Sequence, residues 1–253
     1  MLLFLSVCHS YPGGGCTIRR EPGPVLSKHG TAGNDQTMEP RTALVVRGGW
    51  EGHQPVEATD SFLPFLIRAG FETVVSDSLD SYADAGLMRR ADLIVQCWTQ
   101  GSIEPRQLHG LRTAVESGAG LAGWHGGIVD SFRASADYLH LVGGQFACHP
   151  GGFVDYTVEV TGCHPVVAGI GAFGVHTEQY WVLSDARNEV LATTTLPSRQ
   201  GDPWDAPVTS PAVWTRNWGA GRVFVCTVGH RTADLNVPSV RTIIERGMMW
   251  ASR

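Results

Sequence analysis

The chain reads as an α/β protein with a doubly wound, mostly parallel sheet and an added antiparallel hairpin region. Three observations predict this. Short, near-continuous apolar runs recur through the first half, amphipathic stretches separate them, and after Phe146 the runs shorten and follow one another across glycine-rich turns. Apolar strands without polar alternation need cover on both faces, which crossover helices supply in parallel sheets.

The first strand is expected at Ala43 to Val46, a helix at Val56 to Ala69 and the next strand at Glu72 to Ser76. A strand at Leu93 to Trp98, a helix at Glu104 to Ser117 and a strand at Leu121 to Trp124 continue the alternation. Shorter strands are then expected at Tyr156 to Val160, Gln179 to Leu183, Val190 to Thr194, Ala212 to Thr215 and Arg222 to Val228. Gly219-Ala220-Gly221 separates the last two as a hairpin turn would, and Val237 to Trp250 reads as a closing helix. Gly143-Gly144-Gln145-Phe146 and His149-Pro150-Gly151-Gly152 are too glycine-rich for element interiors and read as loops. Residues 1–40, rich in Gly, Pro, Ser, Thr and charge, are expected to form a disordered extension before one domain over 41–253.

At 253 residues, 43% hydrophobic and 17% charged, the chain can bury one substantial core. A net charge of -5 without a Lys/Arg run argues against nucleic acid and anionic membranes and favours a small neutral or polar ligand. The six cysteines form no CxxC pair, so they are read as reduced and the protein as cytoplasmic. Leu2 to Leu5 is apolar but lacks a basic flank and is short for a signal sequence; no run approaches a membrane span. A homo-oligomer is left open.

The most informative motif is Gly120-Leu121-Ala122-Gly123-Trp124-His125-Gly126-Gly127. Its Gly-x-His-x-Gly spacing copies the nucleophile elbow, a sharp strand-to-helix turn that lifts one side chain above a sheet. Imidazole at the apex points to metal binding, proton transfer or hydrogen bonding of a substrate, although a purely structural histidine fits the turn as well. In open parallel sheets ligands bind at the carboxyl ends of strands, where Trp50 to His53, Trp98 to Gly101 and Trp124 to Gly127 all fall. His149 sits in a glycine-rich loop, His53 follows the first strand and His230 ends a late one, so four histidines lie at segment ends.

His176-Thr177-Glu178 has the spacing of an amidotransferase base and its carboxylate, but the chain lacks the matching nucleophile. Glu178 remains a candidate general base or metal ligand beside Tyr180, or else an ordinary solvated carboxylate. Eight tryptophans are many for this length; Trp50, Trp98, Trp124 and Trp204 are candidates to stack on sugar faces, against the ordinary account of core packing. No GxGxxG or Walker A motif is present, so no nucleotide is expected.

Taken together, Ala43-Leu44-Val45-Val46 with His53, the Gly120 to His125 run, Gly143 to Pro150, Cys163-His164-Pro165-Val166, Glu178-Gln179-Tyr180 and Pro211 to His230 resemble the ThuA-like, or trehalose-utilisation, family over about residues 41 to 253. The resemblance implies a flavodoxin-type, class I glutamine amidotransferase-like fold without the amidotransferase cysteine. It implies a role with trehalose-type disaccharides or keto-sugar derivatives and implicates His125, His149, Glu178 and His230, with His53 beside them. Thr177 departs from the family, which often carries an acidic residue there.

The expected activity is acid/base or metal-assisted sugar chemistry, as in a hydrolase or isomerase. His125, Glu178 and His230 are its candidate catalytic residues; Trp50, His53, Trp98, Trp124, His149, Tyr180 and Trp204 are candidate sugar contacts. His125, His149 and His230 are candidate ligands of a divalent metal, zinc suiting neutral imidazole. The competing reading is a non-catalytic sugar-binding or interaction domain.

Overall fold

The structure, a computed structural model, describes residues 40–253, and the expected N-terminal extension lies outside them apart from Pro40. Strands β1 (Arg41–Gly49), β2 (Phe71–Ser76), β3 (Ala91–Thr99) and β4 (Gly120–Trp124) form the parallel part with helices α1 (Pro55–Asp60), α2 (Leu63–Arg68), α3 (Ala85–Arg90) and α4 (Pro105–Glu116) between them. Helices α5 (Gly126–Val129) and α6 (Ala136–Val142) follow, then β5 (Gly144–Cys148), β6 (Phe153–Val160), β7 (Phe173–Glu178), β8 (Trp181–Ser184), β9 (Glu189–Leu196), β10 (Val208–Trp218) and β11 (Gly221–Cys226). Helices α7 (Thr232–Leu235) and α8 (Pro238–Ala251) close the chain.

Nine strands make one sheet in the order β2-β1-β3-β4-β11-β10-β9-β6-β7, and β5 pairs with β8 apart from it. Pairing is parallel from β2 to β11 and antiparallel beyond. The strand β11 therefore returns to the centre of the sheet, where it carries a fifth parallel carboxyl end into line with β1, β3 and β4. Gly219-Ala220 joins β10 to β11, with Trp218 opposite Gly221.

Alternation along the central strands splits their apolar residues between two cores. Ala43, Val45, Leu93, Val95, Ala122, Phe224 and Cys226 face one side, while Leu44, Val46, Ile94, Leu121, Val223 and Val225 face the other. Each fully buried aliphatic side chain of this kind stabilises by about 1.5–3 kcal/mol against exposure, which is why strands without polar alternation require both layers. Helix α8 covers the first side through Val240, Ile243, Ile244, Met248 and Ala251, spaced as one helical face.

Three sequence expectations need correction. The helix expected over Val56 to Ala69 is two helices, because Pro64 opens α2 and cannot continue α1: it lacks an N–H and its ring crowds the preceding turn. Gly144–Cys148 is strand β5 rather than loop, paired with β8 from Gly144 opposite Ser184 to Cys148 opposite Trp181. The strand expected from Gln179 begins at Trp181, and Phe173–Glu178, interrupted by Gly174 and His176, forms an additional strand against β6. Among the described residues no helix is long and apolar enough to cross a membrane.

Candidate functional site

The turn after β4 places His125 at φ 48°, ψ -143°, an unusual conformation for an L-residue. The strain is held from three sides. His125 N–H donates to the Cys226 carbonyl at 2.7 Å, its own carbonyl accepts from Val129 at 3.1 Å, and glycines let the turn press onto β3. A Cβ on Gly127 would stand 2.8 Å from Cys97 Cα and one on Gly123 2.6 Å from the Gln96 carbonyl oxygen, so neither position has room for a side chain.

Below the turn lies a buried polar group that the sequence reading missed. Gln96 projects from the middle of β3 and accepts from the Tyr82 hydroxyl at 3.0 Å. Its amide donates to the Gly127 carbonyl at 3.2 Å and to Ser131 Oγ at 3.1 Å, and the Tyr138 hydroxyl donates to the Ile128 carbonyl at 2.8 Å. A lone glutamine inside Leu93-Ile94-Val95-Gln96-Cys97 was the available signal, since a polar side chain in a fully buried strand must find partners.

Above the turn, His53, His125, Glu178 and His230 converge, and one donor atom from each lies within 4.8 Å of the others. All four are buried. The parallel half contributes the histidines from the ends of β1, β4 and β11; β7 contributes the carboxylate. Glu178 Oε2 is 3.1 Å from His125 Nε2 and 3.0 Å from His230 Nδ1, and Oε1 is 3.6 Å from His149 Nε2. The His230 contact is one of proximity rather than alignment, leaving Nδ1 buried without a hydrogen-bond partner.

The tautomer of His125 follows from its surroundings. Nδ1 lies 2.8 Å from the Thr227 carbonyl, which can only accept, so Nδ1 carries the proton and Nε2 turns towards Glu178. Burial pushes the His125 pKa down against the opposing pull of Glu178. His53, with Nδ1 2.9 Å from Thr99 Oγ1, is pushed down to about 3 by burial first and then by His125 and His230. Burial alone would raise the Glu178 carboxyl, but the closeness of His125 and then of His230 pulls it the other way, well below the usual carboxylate range.

Aromatic rings line the approach. Tyr180 stacks on His125 at 4.0 Å, Phe146 packs on Tyr180 at 4.3 Å, and His149 stacks on Phe146 at 5.6 Å. Burial, followed by the Glu178 charge, raises the Tyr180 hydroxyl well above its ordinary value, so it stays protonated. On the other side the edge of Trp50, 48% exposed, meets His53 at 4.8 Å, and Phe153 meets His230 at 4.9 Å.

Other expected contacts fall elsewhere. Trp124 belongs to the core against Phe62, because alternation on β4 turns it inwards. Trp98 packs over Gly48 and Trp204 against Trp181; among the described residues none of these three indoles has a ring contact with the cluster's histidines. His149, expected as a metal ligand, stands at the margin with its side chain 40% exposed, while His53, expected as a sugar contact, joins the four donors. His176 pairs with Asp155 at the surface, not with Glu178. Thr177 is buried and donates to Asp234 Oδ2 at 2.7 Å.

No curated protein sequence matches the chain significantly. Among solved structures, a ThuA-like protein from Bacteroides uniformis superposes with a TM-score of 0.67 at 18% identity over 88% of this chain and 95% of that one. A ThuA-like protein from Parabacteroides merdae gives 0.66 at 15% identity over 84% and 90%. A protein described as cytoplasmic from Salmonella typhimurium gives 0.57 at 13% identity over 84% and 100%. These likenesses agree on the fold, and the family model for trehalose utilisation matches residues 42–251, a description that supports a carbohydrate-related role. With that match spanning nearly the whole described domain, the chain belongs to the ThuA family.

Proposed function

We propose that the chain processes a trehalose-type disaccharide or its keto-sugar derivative at a divalent-cation site formed by His53, His125, Glu178 and His230. The observation that carries this reading is the placement of Glu178 Oε2 at 3.1 and 3.0 Å from two buried imidazole nitrogens, one without a hydrogen-bond partner. Three imidazoles and a carboxylate are a zinc-type donor set. Catalytic zinc sites use three protein ligands and keep a position for water or substrate, so four donors within 4.8 Å of one another would offer one more than such a cation needs. The order β2-β1-β3-β4-β11 supports the same location, since open doubly wound sheets bind ligands outside the carboxyl ends of their strands, where the strand order reverses.

When bound, the cation supplies Lewis-acid polarisation of a carbonyl or hydroxyl oxygen. The chain's own groups do the rest. Thr227 and Thr99 orient His125 and His53, Glu178 neutralises charge, and the protonated Tyr180 hydroxyl is available to donate. His149 links Glu178 to solvent and is placed to carry protons. Trp50 presents an indole for the apolar face of a sugar ring. Unbridged Cys97, Cys148 and Cys226 support a cytoplasmic setting, and an imidazole at the elbow's apex argues against amidotransferase chemistry.

Metal analysis of the purified chain, with turnover of trehalose and keto-disaccharides by wild type and His125→Ala, tests the proposal. Bound cation and loss of turnover in the variant are expected. Unchanged turnover removes His125 from the mechanism, and calorimetric sugar binding without turnover under any metal condition would replace the enzyme by a binding domain.

A further inference from the structure

The three segments that carry His53, Glu178 and His230 are joined to one another by side chains immediately beside the donors. Asp234 Oδ2 accepts from Thr177 Oγ1 at 2.7 Å and from the Arg231 N–H at 2.9 Å, bridging the residue before Glu178 to the residue after His230. The Asp234 N–H returns a 2.9 Å bond to the Arg231 carbonyl, which closes the first turn of α7 as a capping box does. On the opposite flank, Gln54 Oε1 accepts from Thr232 N–H at 3.2 Å and from its hydroxyl at 3.3 Å, bridging the residue after His53 to the His230 segment. Gln54 itself has φ 49°, a left-handed conformation that an L-residue keeps only where its surroundings impose it.

We infer that the Arg231 to Asp234 turn is a clasp that sets the spacing of the donor cluster, with Thr177, Asp234 and Gln54 as its positioning residues. The inference rests on the cation reading above and goes beyond it to three residues that touch no donor atom. His53, Glu178 and His230 come from three separate elements, β1's end, β7 and the loop after β11. The sheet holds the strands themselves, and the clasp ties together the segments directly beside the donors. The clasp also accounts for Thr177, whose fully buried hydroxyl needs an acceptor and finds it in the carboxylate that α7 supplies. Groups that orient metal ligands from behind typically change affinity by about 10–100-fold when removed.

Zn(II) titration of the full chain after chelator treatment tests this, with visible absorption of the Co(II)-loaded form as a second readout. Asp234→Ala is expected to bind Zn(II) at least about tenfold more weakly and to shift the Co(II) bands. Asp234→Asn keeps an acceptor oxygen and should stay near wild type in both. Thr177→Val should weaken binding and Thr177→Ser restore it, a pair that serves if Asp234→Ala fails to fold when checked by melting in chelator. Wild-type affinity in folded Asp234→Ala or Thr177→Val overturns the clasp while leaving the cation site standing. Absence of Zn(II) binding by wild type overturns the cation reading itself, and the clasp with it.

Discussion

Replacing Gln96 by leucine, nearly its equal in size, should be among the most destabilising single changes outside the donor cluster. The side chain is fully buried and so is its partner Tyr82. Leucine fills the space but takes away the acceptor of the Tyr82 hydroxyl and the donor to the Gly127 carbonyl and Ser131 Oγ. A buried group left unpaired costs about 1–3 kcal/mol, so the Tyr82 hydroxyl and the Gly127 carbonyl together set an expected loss of about 2–6 kcal/mol, Ser131 keeping its contact with Tyr138. The Tyr138 hydroxyl, which also lies against the Gln96 amide nitrogen, keeps the Ile128 carbonyl and adds little. Urea unfolding of wild type, Gln96→Leu, Tyr82→Phe and the double variant measures this. Removing the orphaned hydroxyl should return about 1 kcal/mol or more, making the double variant more stable than Gln96→Leu alone. A loss under about 1 kcal/mol in Gln96→Leu, or a double variant no better than the single, would refute the account of the elbow's foundation.

Gly127→Ala forces a Cβ to 2.8 Å from Cys97 Cα and should cost about 1–3 kcal/mol in chemical denaturation, with α5 losing hydrogen-exchange protection first. Burial raises the Cys97 and Cys226 thiols to about 12, so native-state iodoacetamide should modify exposed Cys148 and spare both, as read by peptide mass spectrometry. His53 has a folded pKa lowered from 6.5 to about 3, so between those values the unfolded chain binds the extra proton and stability falls as pH falls. In chelator, wild type should lose up to about 1.4 kcal/mol per pH unit from this group, and His53→Gln should flatten the urea-derived profile by that slope.

The parallel half was readable because its strands are apolar on both faces and its helices are not, a contrast visible in single residues such as Leu44 and Val45 facing opposite cores. The elbow was readable because close packing leaves no choice but glycine at 123 and 127. β7 was not: Gly174 and His176 weaken its pattern, and its stability comes from pairing with β6 rather than from its own residues. Neither was the inward turn of Trp124, decided by strand register, nor the membership of His53 in the donor set. Thr99, Thr227, Gln96 and Asp234 escaped notice because each acts through hydrogen bonds to partners distant in sequence.

The parallel strands supply the imidazoles and an antiparallel strand the carboxylate, and this division bears on how the molecule folds. His125 and Glu178 are 53 residues apart, and the Gln54 to Thr232 bridge spans 178. No local fragment can assemble the site, so it exists only where these long-range contacts have formed. A ligand seated there recognises the finished domain alone and shifts the folding equilibrium as a whole, by about 2.7 kcal/mol at a hundredfold excess over its Kd. Occupancy would then act as a checkpoint on folding, and a rise in melting temperature would report the integrity of strands far from the donors.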